Sequence, residues 1–380
     1  MRNSIVKTAA TLVLAMIAWG GLCVLGPAPA RAQSGAWTQR AVSGPSPRRY
    51  HAMAYDAARG VTVLFGGITG TFIFNGETWE WNGTTWTQRV VSGPSARYGH
   101  EMAYDSARAV TVLFGGQNNV GGTSGETWEW NGTTWTQRVV SGPSPRYLHA
   151  MAYDAARHVT VLFGGFTGNY NGETWEWNGI AWTQRVVSGP LPRYFHAMAY
   201  DSARHVTVLF GGDTGVSNGE TWEWNGTAWT QRLVSGPAPR YGHAMAYDAA
   251  RGVTVLFGGS NGVFNGETWE WNGTAWTQRA VSGPSPRMEH AMAYDAARAV
   301  TVLFGGDTCG VCLNGETWVL GPSCAACRAD FNCSSHLEVQ DIFDFLTGWF
   351  ALDPRADFNG LNGITTQDIF DFLAAWFAGC

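Results

Sequence analysis

The chain has 380 residues and a formal net charge of −5, long enough for one large domain and a small one. Lys7 is its only lysine, which excludes Schiff-base chemistry and a phosphate-loop lysine in the body of the protein. No basic patch lies beyond the N-terminus, which excludes a nucleic-acid surface.

Residues 1–32 read as a secretory signal peptide: Arg2 and Lys7 are positive, Leu12 to Leu25 are mostly apolar, and Ala30-Arg31-Ala32 has the small-x-small cleavage pattern. Cys23 raises the rival of a lipoprotein signal, but Gly20-Gly21-Leu22 lacks the usual small residue before the cysteine. Cleavage would remove Arg2, Lys7 and Arg31 and no acid, taking the charge from −5 to −8. No later segment approaches the roughly 20 apolar residues of a spanning helix. The expectation is an exported, secreted or cell-surface protein without a membrane span.

One unit then occurs six times. HAMAYD begins at His51, His149, His196, His243 and His290, with HEMAYD at His100, and VTVLFGG follows ten residues later each time. GETWEW comes next, with Trp79 and Trp81 in the first copy and a single Trp318 in the sixth, and WTQR closes the unit. VTVLF is β-branched and aromatic, ETWEW alternates, and Asn82-Gly83 and its equivalents signal a tight hairpin. Each unit therefore predicts four strands, one propeller blade, with Gly66-Gly67 and its equivalents where the backbone turns sharply. WTQR also occurs at Trp37, before the first HAMAYD, whereas the sixth unit lacks it. The N-terminal strand is thus expected to complete the last blade.

Six Arg-x-x-His pairs, six diglycines and the aromatic strands resemble the kelch repeat family over residues 37 to about 320. The resemblance implies an all-β, six-bladed kelch-type propeller, here spanning 33–322. It does not imply one function, because kelch propellers include protein-binding scaffolds, glycan binders and a copper oxidase. No propeller cysteine precedes Cys309, so the oxidase's crosslinked cysteine has no counterpart before that position.

The units differ in two places that share one face: the loop after each diglycine, and the two residues between Arg and His. The candidate ligand-binding residues are therefore Arg49, Tyr50, Tyr98, Tyr147, Leu148, Tyr194, Phe195, Tyr241, Met288 and Glu289. The six repeated histidines and Arg48-type arginines are read as blade packing, the arginines pairing with Glu77-type carboxylates. Asp56 and Arg59 are read as a turn cap. Catalysis would need polar residues in one or two units only; the candidates are Glu101, Asp213, Glu289 and Asp307, and the expectation is a non-enzymatic protein.

Residues 323–380 carry a second, duplicated motif, ADFNCSSHLEVQDIFDFLTGWF and ADFNGLNGITTQDIFDFLAAWF. Ca²⁺ takes hard oxygens at loop positions one, three, five, seven and twelve. The candidate ligands are Asp330, Asn332, Ser334, the carbonyl of His336 and Asp341, then Asp357, Asn359, the carbonyl of Gly363 and Asp368. Behind each loop apolar residues recur at helical spacing: Ile342, Phe345, Leu346, Trp349 and Phe350, then Ile369, Phe372, Leu373, Trp376 and Phe377. The pair resembles the dockerin domain, which implies docking onto a cohesin-like partner through Val339, Gln340, Thr366 and Gln367. Leu361 supplies no oxygen at position five of the second loop, so calcium is expected to bind weakly there.

Six cysteines beyond the signal peptide favour disulfides in an exported chain, with fifteen pairings open. The expected role is a binding protein whose propeller recognises a protein or glycan and whose tail anchors it to a cohesin-like or cell-surface partner. The alternative is an extracellular carbohydrate-active enzyme carried by the same tail.

Overall fold

The computed structural model describes residues 35–70, 72–119, 122–321, 339–351, 356–358 and 363–378. The proposed signal peptide lies outside the described residues.

Each repeat folds into a four-stranded antiparallel sheet, and there are six such sheets among the described residues. In the first, Ala52–Asp56, Val61–Phe65, Thr78–Trp81 and Trp86–Arg89 run from the innermost to the outermost strand. Burial is greatest in the second strand and least in the outermost. The second strand keeps Val63, Leu64 and Phe65 wholly inside, whereas only Trp86 of the outermost strand is buried. The sixth sheet is made from both ends of the repeat region: Ala36–Arg40 pairs with Thr317–Gly321, with Trp37 opposite Leu320.

Each sheet shares an apolar core with both neighbours. Met53, Leu64, Trp81 and Trp86 of the first sheet pack on Ala291, Val302 and Phe304 of the sixth, and Trp37, Met292 and Leu303 of the sixth pack on Val255 and Phe257 of the fifth. The remaining cores link consecutive sheets in the same way. This circuit is the arrangement of a β-propeller.

Hydrogen bonds run across the same boundaries. The indole of each outermost-strand tryptophan donates to a threonine of the preceding sheet: Trp135 to Thr78 at 2.9 Å, Trp86 to Thr317 at 2.8 Å and Trp37 to Thr268 at 2.9 Å. Beneath that Trp37 lies Gly283, where a Cβ would fall 2.5 Å from the indole ring. A second bond joins the third strand's tryptophan to a buried glutamate: Trp130 donates to Glu80 at 3.2 Å, and Glu80 also receives Arg59 and Arg89. The sixth sheet breaks this pattern. Val319 replaces the glutamate and Leu320 the tryptophan, so the buried Trp81 indole N–H has no hydrogen-bond partner among the described residues.

The Asn-Gly hairpins form with four-residue loops rather than the tightest two-residue type. Asn82 spends its side-chain oxygen on the N–H groups of Thr84 and Thr85, at 2.9 and 2.8 Å, and Gly83 takes a φ of 95°. An asparagine capping its own turn in this way stabilises a wider loop. Asp56 caps its turn as expected, accepting from the Arg59 backbone and side chain at 3.1 and 2.7 Å.

Two helices follow, α1 (Val339–Ala351) and α2 (Thr366–Ala378). Their apolar stripes meet as the periodicity predicts: Phe345 stacks on Phe372 at 4.1 Å, with Ile342, Ala356 and Phe358 completing the cluster. Phe350 departs from that expectation and is exposed, standing edge-on to Trp349 at 5.1 Å rather than in the cluster. Thr365 and Asp368 cap the start of α2, the carboxylate accepting from the Thr365 N–H at 2.7 Å.

Trp130 and Trp81 are equally buried but differ in that one hydrogen bond. Trp130→Phe is therefore expected to lower the unfolding free energy by about 1 kcal/mol more than Trp81→Phe. Denaturant titration of the two variants checks this; equal losses would mean that the indole–carboxylate bond contributes nothing.

Candidate functional site

The diglycines place the varying face. Gly66 and Gly67 have φ of 68° and 97°, and a Cβ at Gly66 would stand 2.7 Å from both Arg97 O and His100 Cε1. The first glycine thus packs on the Arg-x-x-His segment of the next repeat, and the loop after the diglycine pairs with the same segment of its own repeat, Ile68 opposite Arg49 and Phe166 opposite Tyr147. Arg48 and its equivalents are wholly buried and spent on their own sheet: Nη2 meets Glu77 at 2.6 Å and Nη1 donates to Gly66 O at 3.1 Å. The same pair recurs at Arg97–Glu126, Arg146–Glu173, Arg193–Glu220, Arg240–Glu267 and Arg287–Glu316.

The six histidines are also structural. Each ring stands edge-on to the phenylalanine of the preceding sheet, as His100 does to Phe65 at 5.4 Å and His51 to Phe304 at 5.5 Å. His100 bonds Phe65 O through Nε2 at 3.1 Å. Burial, followed by the neighbouring arginine, drives all six below the usual histidine range, His100 and His243 to about 3.

The residue just before each histidine forms a closed ring of backbone bonds. Tyr50 N donates to Glu289 O, Gly99 to Tyr50, Leu148 to Gly99, Phe195 to Leu148, Gly242 to Phe195 and Glu289 to Gly242, at 2.6–3.0 Å. All six residues hold positive φ, between 56° and 67°. Four of them are not glycine, a strained choice that an isolated turn would avoid. The ring turns their side chains into one cluster at the channel mouth. A Cβ on Gly99 would lie 3.1 Å from Leu148 Cδ2, so glycine there makes room for leucine.

Around this ring the aromatic side chains form an unbroken circuit. Tyr50 meets Tyr98 at 5.5 Å, and the path continues through Tyr147, Phe166, Tyr194 and Phe195 at 6.1, 5.6, 5.7 and 4.8 Å. Phe195 returns to Tyr50 at 5.9 Å, joining the first sheet to the fourth across the axis. Phe74, Tyr170 and Tyr241 extend the circuit outward. The structure thus unites seven of the candidates, and Leu148 sits among them. Phe74, Phe166 and Tyr170 were missed: their loops were singled out as variable, but only the bridges Tyr147↔Phe166 and Phe166↔Tyr170 show which loop residues face the floor. Farther out, the loops carry exposed apolar tips at Phe72, Ile73, Val216, Val263 and Val311.

The remaining candidates meet at the seam between sixth and first sheets. Arg49 Nη1 reaches Asp307 at 2.7 Å and Glu289 at 3.3 Å, and the Tyr50 hydroxyl donates to Glu289 at 2.6 Å. Burial raises Glu289 to about 7 against the opposing pull of Tyr50 and Arg49, and burial raises Tyr50 as well. Met288 bridges to Asp307 alongside. Of the four acids considered for catalysis, Glu289 and Asp307 come together, both almost wholly buried around the Arg49 guanidinium. Asp213 caps its own loop in the fourth sheet, accepting from Gly215 N at 2.7 Å. Glu101 takes an alanine position at the start of the second sheet's inner strand, where burial raises it to about 8.

The Met-Ala-Tyr segments of all six inner strands line a central cavity of about 250 Å³. Five of the six tyrosine hydroxyls accept a backbone N–H from the neighbouring sheet's turn, Tyr104 from Ala58 at 3.2 Å for example.

In the tail, Asp341 and Asp368 are buried in the first turns of α1 and α2, and Gly363 holds a φ of 72°. Asp357 precedes Phe358 of the helix-pair cluster. Val339 and Gln340 begin α1, and Thr366 and Gln367 begin α2. Asp330, Asn332, Ser334, His336 and Asn359 lie outside the described residues. Among the described residues no three His, Cys, Asp or Glu side chains cluster as metal ligands. Cys309 and Cys312 are disulfide-bonded, closing the 309–312 loop beside the seam.

No protein-family model matches the chain, and no curated protein sequence does. Among solved structures the chain is similar to YjhT, a kelch-type propeller, with a TM-score of 0.58 over 72% of this chain and 95% of that one, at 13% identity. That likeness is one of fold.

The histidine ring sets a pH dependence. Because the folded state holds these rings neutral, the unfolded chain binds more protons below about pH 6.5, and stability falls as pH drops from there toward the lowered folded values. Each ring adds a slope of up to about 1.4 kcal/mol per pH unit, or about 8 for six. Denaturation at pH 7, 5.5 and 4.5 is expected to show this fall, shallower by about one ring's share in His149→Asn; a flat profile down to pH 4.5 would contradict the neutral ring.

Proposed function

We propose that the chain is an exported, non-enzymatic binding protein whose propeller, six-bladed and kelch-type, recognises a protein or glycan partner on its aromatic face. The observation that carries the reading is the closed aromatic circuit on a frame that repeats almost unchanged. Rigid rings of intermediate exposure, half apolar and half hydroxyl, give contact area at small entropic cost. The loops around them are rich in Gly, Asn, Ser and Thr, which supply adaptable hydrogen bonds. A protein partner is favoured over a glycan because the loop tips are aliphatic as well as aromatic. Val216, Val263 and Val311 offer nothing to a hydroxyl-rich ring but suit an apolar protein surface.

A carbohydrate-active enzyme would need two carboxylates opposed across a substrate. Glu289 and Asp307 instead converge on Arg49, which supports binding over turnover.

The tail, in this reading, is a dockerin-like calcium-loop and helix pair that attaches the propeller to a cohesin-like or cell-surface partner. Its support is the duplicated motif with matching helices, Phe345 against Phe372, behind each loop.

For the propeller, a displayed peptide library and a glycan array are each probed with the full chain and with Tyr170→Ala and Tyr194→Ala. Peptide binders weakened about tenfold by these changes are expected, roughly 1.4 kcal/mol. Binders indifferent to both substitutions would remove the site assignment, and sugar binding lost with them would assign the face to a glycan.

For the tail, calorimetric titration of the full chain with Ca²⁺ is expected to give a weak binding heat, at high micromolar to millimolar concentration, that Asp330→Ala diminishes. No heat at about 5 mM Ca²⁺ would make the loops non-functional for metal.

A further inference from the structure

The seam between sixth and first sheets carries a feature that blade packing leaves unexplained. Arg49 stands where the other five sheets have Tyr98, Tyr147, Tyr194, Tyr241 or Met288, so it is the one charged residue in its set. Its guanidinium is fixed from several sides. Nη1 meets Asp307 at 2.7 Å and Gly310 O at 3.4 Å, and the group lies 5.2 Å from the Tyr50 ring and 5.9 Å from the Phe72 ring. Among the described residues neither Nε nor Nη2 makes a hydrogen bond. Nε is itself buried, so Nη2 is the donor left for a ligand, on a side chain that keeps 15% of its surface exposed.

That arginine lines a cleft of about 470 Å³ whose other walls are apolar at Pro47, Phe72, Val311 and Leu313, with small polar groups at Ser46 and Thr69. The Cys309–Cys312 disulfide closes the loop that carries Val311. A fixed guanidinium N–H beside an apolar wall fits a carboxylate joined to an apolar group. Two biological candidates are the C-terminus of a protein ending in an apolar residue, and a uronate ring. A uronate brings several hydroxyls that each need a partner, and this cleft has hydroxyls only at Ser46 and Thr69.

We propose that the seam cleft captures the free C-terminal carboxylate of a partner protein on Arg49, with the partner's last apolar side chain against Phe72, Val311 and Leu313. This rests on the reading of the face as a protein-binding surface and names the part of the partner it takes. It belongs to a recognised mode, capture of a terminal carboxylate, though here by a side chain rather than a backbone nest. Asp307 and Glu289 then act as positioning residues, holding the guanidinium through Nη1 while Nη2 faces the ligand.

The test uses the full chain on an array of peptides anchored by their N-termini, each presented with a free C-terminal carboxylate and again as the amide. Peptides ending in Leu, Ile, Val or Phe are expected to bind, and amidation to weaken them by at least about tenfold. Arg49→Gln should weaken the free-carboxylate peptides to the level of the amides. Because that change leaves Asp307 and Glu289 without their counter-charge, Val311→Asp, at an exposed position, is the second variant, with melting temperatures as the control for folding. It should repel the carboxylate and lower affinity by at least about tenfold. Equal binding of acids and amides, binding unaffected by either variant, or Arg49-dependent binding of polygalacturonate would each overturn the inference. Binding lost with Tyr170→Ala and Tyr194→Ala but not with Arg49→Gln or Val311→Asp would overturn it and leave the aromatic-face reading intact. Binding indifferent to all four substitutions would overturn both.

Discussion

Each of the six four-stranded sheets has two apolar faces and can bury them only against its neighbours, so the whole array depends on the sixth sheet meeting the first. An open stack would leave two such faces in water. Met53, Leu64 and Trp81 on one side and Ala291, Val302 and Phe304 on the other are the residues that close the circuit. The strand Ala36–Arg40 matters for the same reason: it brings Trp37, which bonds Thr268 and packs on Phe257, to the sheet that lacks its own WTQR segment. Joining the two ends of the repeat region in one sheet ties closure to the hydrogen-bonded ladder as well as to packing.

Closure also explains which residues are free to do something else. The repeated Arg48-type and histidine side chains are consumed by it, the first on glutamates of their own sheet, the second under the diglycines of the sheet before. A residue required in all six sheets is there for the frame. What remains is the face where the copies differ, and there the backbone ring at Tyr50, Gly99, Leu148, Phe195, Gly242 and Glu289 gathers unlike side chains onto one axis. The frame holds six positive-φ positions in place at once, four of them strained because they are not glycine, which no single loop could do.

The seam is the least symmetric part of the ring. Val319 and Leu320 remove the glutamate and tryptophan that link the other sheets, and Trp81 loses its partner. On the varying face of the same boundary, Arg49, Tyr50, Glu289 and Asp307 form a polar lock found at no other boundary among the described residues. The join between the two ends of the array is thus held by different chemistry from the rest, and it is also where a cleft opens.

The repeat, the strands, the split sixth sheet and the arginine–glutamate pairing were legible in the amino-acid sequence, because each rests on local chemistry. Alternation, β-branching, turn residues and complementary charges recur in register along the chain, and repetition made them readable six times over. The two helices were legible for the same reason, though Phe350 shows that helical spacing marks a stripe without saying which of its edges is covered. The varying positions could be found by comparing copies, but not what they build. Only the tertiary structure brought Tyr50 of the first sheet against Phe195 of the fourth, drew Phe74, Phe166 and Tyr170 into the circuit, and set Arg49 beside Asp307, 258 residues away. Those contacts depend on the radius and curvature of a closed ring, a property of six sheets together that no single repeat encodes.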